Sequence, residues 1–228
     1  MLRILAEVHM PSPADVLFNL EHIANDAFPV AVAWHVIALT VIVGLLGGWR
    51  PPRRTMELLL AAPFISVSVV AWAFHNPFNG VFFAALALAA IGLAANAPLT
   101  PVLGEYRWSW PPIVGGLLVA IGWGYPHFLE GHPSYAYVYG APLGILPCPT
   151  LLFVLGLTLI AGGEGRRLWK GLVALTCLFY GYVGVFRLGV WLDVALFAGA
   201  IPLALDAVLP KGRPRKDTPV HYAHAHSS

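Results

Sequence analysis

The sequence predicts an all-α integral membrane protein: a bundle of about seven transmembrane helices preceded by a short amphipathic interfacial helix. Three observations predict it. Of 228 residues, 58% are hydrophobic and only 11% are charged, against about 25% charged in an average soluble domain, and the mean hydropathy is +0.74. Seven apolar runs approach the roughly 20 helical residues that cross a hydrocarbon core. Lys and Arg cluster in alternate loops, as they do beside membrane spans. The lipid bilayer is the expected partner, together with a second membrane protein or another copy of the chain. A net charge of +2 is too small to argue for nucleic acid.

Residues 1–27 are read as an outer segment. Its single early basic residue, Arg3, is followed by a polar stretch rather than the apolar core of a cleavable signal peptide. Ser12 followed by Pro13 marks a helix start. Val16, Leu20, Ile23 and Ala27 then share one face while Asp15, Asn19, His22 and Asp26 share another, the pattern of a helix lying on a surface.

Residues 28–209 form the membrane domain. The expected spans run Phe28–Trp49, Met56–Phe74, Phe78–Ala97, Pro112–Leu129, Leu146–Gly162, Leu168–Phe186 and Leu188–Leu209. One helix over the last two would reach about 63 Å, twice the core thickness. A tight hairpin is therefore expected there, with Gly181, Gly184 and Gly189 supplying the freedom. Small residues four apart, including Gly44 with Gly48, Gly116 with Ala120 and Gly124, and Ala195 with Gly199, are read as helix-packing stripes. Tyr125, Tyr135, Tyr137, Tyr139 and Trp191 are read as interfacial belt residues. Residues 210–228 are expected to be a disordered cytoplasmic tail.

With seven spans and an outside N-terminus, eleven of the thirteen Lys and Arg fall on the cytoplasmic side. That asymmetry orients the chain with its N-terminus outside and its C-terminus in the cytoplasm.

Chemistry-bearing residues collect on the opposite side. Pro147-Cys148-Pro149-Thr150 opens the fifth span. The prolines have fixed φ and no N–H, so the segment is read as a rigid, extended lead into a helix, with Thr150 adding a local hydrogen bond. Cys148 is either a small apolar filler of a shaped turn or a thiol activated at a helix N-terminus. His127, Glu130, His132 and His75 share its side. Imidazole, thiolate and carboxylate are ligands for zinc, copper or iron, so Cys148, His132 and His127 form a candidate transition-metal set. Two cysteines, Cys148 and Cys177, provide no disulfide framework. Asp193, early in the last span, is too costly to face lipid. Arg187 is its nearest cation in sequence, and a structural pair or a proton relay are the two readings.

The runs "YPHFLEGH" and "PLGILPCPTLLFVLG" together resemble the signature of an uncharacterised bacterial membrane-protein family, catalogued as domain of unknown function 6064. Tyr125, Pro126, Gly131, His132, Pro147, Cys148, Pro149, Thr150 and Asp193 occupy its characteristic places. Asn25 and Pro29 resemble its N-terminal element with Phe28 in place of Trp, and Phe74-His75 resembles its Tyr-His pair. The resemblance implies a polytopic membrane fold and carries no established activity.

Three functions follow as expectations: binding or transport of a small solute or metal at the outer face, an accessory membrane subunit, and, ranked last, a membrane enzyme. No nucleophile with base and orienter, phosphate loop or zinc-protease pair is legible.

Overall fold

The structure is a computed structural model and describes residues 12–97, 110–161 and 167–208. The tail beyond 209, Arg107 and Arg166 lie outside the described residues. Ser12 and Pro13 start α1 (Pro13–Asp26) as their types require. The Ser12 hydroxyl accepts from the Asp15 N–H, and the Asp15 carboxylate reaches back to the Ser12 N–H at 3.1 Å, a capping box that satisfies the first orphan donors. The far end of α1 is stitched to a later loop: Asn25 donates to the Phe128 carbonyl at 3.1 Å and accepts from the Glu130 N–H at 3.2 Å.

The remaining helices are α2 (Phe28–Leu46), α3 (Arg53–Ala73), α4 (Pro77–Ala95), α5 (Trp110–Trp123), the single turn α6 (Tyr137–Gly140), α7 (Pro147–Ala161), α8 (Arg167–Tyr182) and α9 (Val194–Val208). Among the described residues, five helical segments are long and apolar enough to cross a membrane: 28–46, 53–73, 77–95, 167–187 and 191–208. Two further apolar helices, α5 and α7, have 14 and 15 described residues, or about 21 and 23 Å at 1.5 Å per residue, against a core about 30 Å thick. Seven apolar helices stand where seven spans are expected, and five of them reach spanning length.

The α5 shortfall has a local cause. The run Pro112–Leu129 is not one helix: α5 stops at Trp123, because Gly124 and Pro126 follow and a proline ring cannot continue the ladder. Pro147 is already helical, so Cys148 lies in the first turn of α7 rather than in an extended lead. Both prolines then occupy positions whose N–H groups have no intrahelical partner anyway, which removes their penalty.

Ahead of α7, residues 141–146 are buried irregular backbone. Gly144, at φ +75°, lies so close to the Trp34 ring that no Cβ would fit, and Gly140 lies likewise against Phe28. Trp34 is six residues below Phe28 on α2, about 9 Å deeper. The connection therefore dips into the bundle before α7 begins, which is how irregular backbone survives at such depth. Thr150 closes the dip by accepting from the Gly144 N–H at 2.9 Å and donating to the Leu146 carbonyl at 2.6 Å.

Helix α7 is the axis of the bundle, packed against α3, α5, α8 and α9. Leu151, Leu152, Val154 and Leu155 are fully buried, as expected of a helix apolar all round. The close approach to α5 uses Gly115, Gly122 and Gly156, whose added Cβ atoms would each strike the partner backbone. The stripe read from spacing, Gly116 with Ala120 and Gly124, is one position off: Gly116 has open space around it. Gly199 does pack as expected, against Leu118 and Leu155.

The expected hairpin between the last two spans is present. Helix α8 ends in a π-helical turn, Val183–Arg187, and a 3-10 turn, Trp191–Asp193, leads into α9. Gly189 supplies φ +74°, and the Val190 N–H closes the turn on the Gly184 carbonyl at 2.8 Å. At the other end of the bundle, ion pairs link Arg53 to Glu57 and Lys170 to Asp206.

Candidate functional site

The hairpin sets Asp193 at the end of the bundle that also carries residues 124–146. Its N–H donates to the Val190 carbonyl at 3.1 Å, and its carboxyl points inward with only 2% of the residue exposed. Oδ1 accepts from the Tyr125 hydroxyl at 2.7 Å. Oδ2 lies over Gly184, where a Cβ would collide with it. The Cys148 thiol, brought in by the first turn of α7, lies against the same carboxyl. His127 is exposed at the rim, within electrostatic range of Asp193.

Behind this group stands Tyr180 of α8, buried in the core cluster against which Cys148 packs. Its hydroxyl donates to Asn79 of α4 at 2.8 Å. The cluster thus draws polar groups from five places: the loop after α5, α7, the α9 hairpin, α8 and α4. Tyr125 itself is fully buried and stacked on Phe128 with centroids 6.2 Å apart. Its hydroxyl serves as the hydrogen-bond donor to the carboxyl. That role corrects its reading as a belt residue.

Of the residues singled out from sequence, Cys148 and Asp193 come together, with His127 exposed at the rim. The others do not join them. His132 stacks on Phe28 with centroids 4.4 Å apart and planes 17° from parallel. Glu130 is exposed, its backbone tied to Asn25. His75 ends the α3 connection at φ 56° and is exposed. Among the described residues no three His, Cys, Asp or Glu side chains form a group able to hold a metal ion. The set Cys148, His132 and His127 is therefore not assembled, because the Phe28 stack and the α7 first turn hold its members to different neighbours.

Nor does Arg187 pair with Asp193. Its side chain is exposed on the π-helical turn while the carboxyl points into the bundle, and among the described residues the carboxyl finds Tyr125 instead. Pro147 and Pro149 are buried and structural, as is Thr150. Tyr180, Asn79 and Gly184 were not singled out as site residues by sequence reasoning. Gly184 carried a signal in its hairpin position; Tyr180 and Asn79 carried none, being one phenol and one amide among many.

A separate polar contact lies deeper. His35 of α2 is 3% exposed, with Nδ1 at 2.8 Å from the Ala31 carbonyl and Nε2 at 2.9 Å from the Trp123 carbonyl. The ring crosses Trp123 edge-on at 4.7 Å and ties α2 to the end of α5.

No family model, no curated protein and no solved structure matches this chain.

Proposed function

We propose that the chain is a seven-span protein of the bacterial plasma membrane, N-terminus outside and C-terminus inside, of the uncharacterised family that its Pro-Cys-Pro-Thr region resembles. In this reading it binds a small cationic or hydrogen-bond-donating solute at its extracytoplasmic end. The short helices α5 and α7 complete their crossings with the buried, irregular chain that flanks them. The eleven-to-two division of basic residues supports the orientation.

The observation that carries the solute-binding reading is the Asp193 carboxyl, buried at one end of an apolar bundle. A buried carboxylate is expensive unless paired, and in membrane proteins such groups face the interior and mark ion or substrate sites. Here its protein partners are a phenol, a thiol and a rim histidine rather than a fixed cation. That leaves the carboxyl without a fixed counter-charge, an opening that a small positive or proton-donating solute would fill. Cys148, only partly buried, lies against the same carboxyl and gives the site a chemical reporter.

The test uses that thiol. In right-side-out vesicles a membrane-impermeant maleimide labels Cys148, and methylammonium or guanidinium at millimolar concentration slows labelling several-fold. Asp193→Asn abolishes the protection while labelling itself persists. Labelling that neither cation slows, or protection unchanged in Asp193→Asn, overturns solute binding and leaves the cluster as the architecture of an accessory subunit.

A further inference from the structure

A second feature lies on another side of the bundle and is independent of the Asp193 cluster. Helices α2 and α3 leave between them, over α7, a cavity of about 150 Å³ lined by hydrocarbon. Trp34 and Val41 mark its ends on α2, and Pro63 and Met56 mark them on α3. Each pair is seven residues apart, so the cavity runs about 10 Å along the helices. At one end the Trp34 indole N–H donates to Ser66 at 2.7 Å and bridges α2 to α3.

The opposite end leads to the α2–α3 connection, where Arg50, Arg53 and Arg54 fall within five residues. Arg53 is neutralised by Glu57 at 3.2 Å. Arg50 and Arg54 are exposed and have no carboxylate partner among the described residues. Arg50 is held in place by the Leu45 and Trp49 carbonyls, at 2.9 and 3.1 Å. Met56, which lines the cavity, stands one turn from Arg53.

We propose that this groove is a phospholipid site: an acyl chain fills the space between α2, α3 and α7, and an anionic headgroup sits on Arg50 and Arg54. An apolar cavity of this size stays dry, and at bilayer depth hydrocarbon is the solvent that fills it. The hydrocarbon lining selects a chain, and the two unneutralised guanidinium groups at its end select the charge, since guanidinium pairs well with phosphate. Basic pockets between helices recognise anionic headgroups in this way. Arg53, already paired, contributes less.

The test is lipid retention. Full-length protein is reconstituted in mixed phosphatidylcholine and phosphatidylglycerol, stripped in mild detergent, and its residual lipid weighed by mass spectrometry. The parent retains about one phosphatidylglycerol per chain and at least tenfold less phosphatidylcholine. Arg50→Gln with Arg54→Gln lowers phosphatidylglycerol retention at least tenfold, whereas Arg167→Gln, an exposed arginine elsewhere, leaves it unchanged. Ala62→Phe, which fills the groove without touching the arginines, lowers retention of both lipids. Equal losses in the Arg167→Gln control and the double variant would reduce the effect to general surface charge. Retention unchanged in Ala62→Phe, or in the surface double variant, overturns the proposal.

Discussion

The Tyr125 hydroxyl donates to Asp193 Oδ1 at 2.7 Å across a sequence separation of 68 residues, and both residues are almost wholly buried. Removing the donor strands a carboxyl in an apolar environment. Tyr125→Phe is expected to cost about 1–3 kcal/mol, the penalty for a buried polar group left unsatisfied. Asp193→Asn keeps an acceptor for the phenol and is expected to cost less. Thermal unfolding in detergent, compared across the two variants and the parent, checks the ranking. A Tyr125→Phe protein as stable as the parent would remove the hydrogen bond from the account of the fold.

Gly184 is where the hairpin makes room for that carboxyl. Gly184→Ala places a methyl group on Asp193 and is expected to destabilise by about 1–3 kcal/mol, the range for overpacking. Gly171→Ala, in α8 with open space around it, is expected to be neutral or stabilising by up to about 1 kcal/mol. The pair is best measured together, because helix propensity acts in the same sense at both positions and the collision at only one.

Thr150 holds the dip ahead of α7 through two hydrogen bonds. Thr150→Val keeps shape but leaves the buried Gly144 N–H without its acceptor, at a cost of about 1–3 kcal/mol. Thr150→Ser restores most of it. Hydrogen exchange at the Gly144 amide is a direct readout, expected to accelerate in the valine variant and to return toward the parent rate in the serine variant.

Topology and thiol access form a linked prediction. A reporter fused to the C-terminus is expected to be active in the cytoplasm, and one inserted between Gly131 and Ser134 is expected to be active outside. An impermeant maleimide is expected to modify partly buried Cys148 and to spare Cys177, which is fully buried in the core. A C-terminal reporter active outside would sink the orientation, and labelling of Cys177 alone would sink the placement of α7 and α8.

Local physics made much of this protein legible in one dimension. The apolar runs located every long helix to within a few residues, because burying a backbone in a bilayer demands continuous helical stretches of predictable length. Ser12 with Pro13 located the α1 start, and length alone required the α8–α9 hairpin. What spacing could not show is which neighbour each polar group would meet. Asp193 pairs with Tyr125 rather than with nearby Arg187, because the π-helical turn carries the arginine outward and the carboxyl inward. Cys148 and His132 are 16 residues apart, at the two ends of one connection, yet they serve different partners, because Phe28 takes the imidazole ring. Gly115 rather than Gly116 meets α7, since the rotation of α5 is set by what packs around it. Helices follow from each segment's own composition; a site follows from the angles at which those segments cross, and those belong to the packed bundle as a whole.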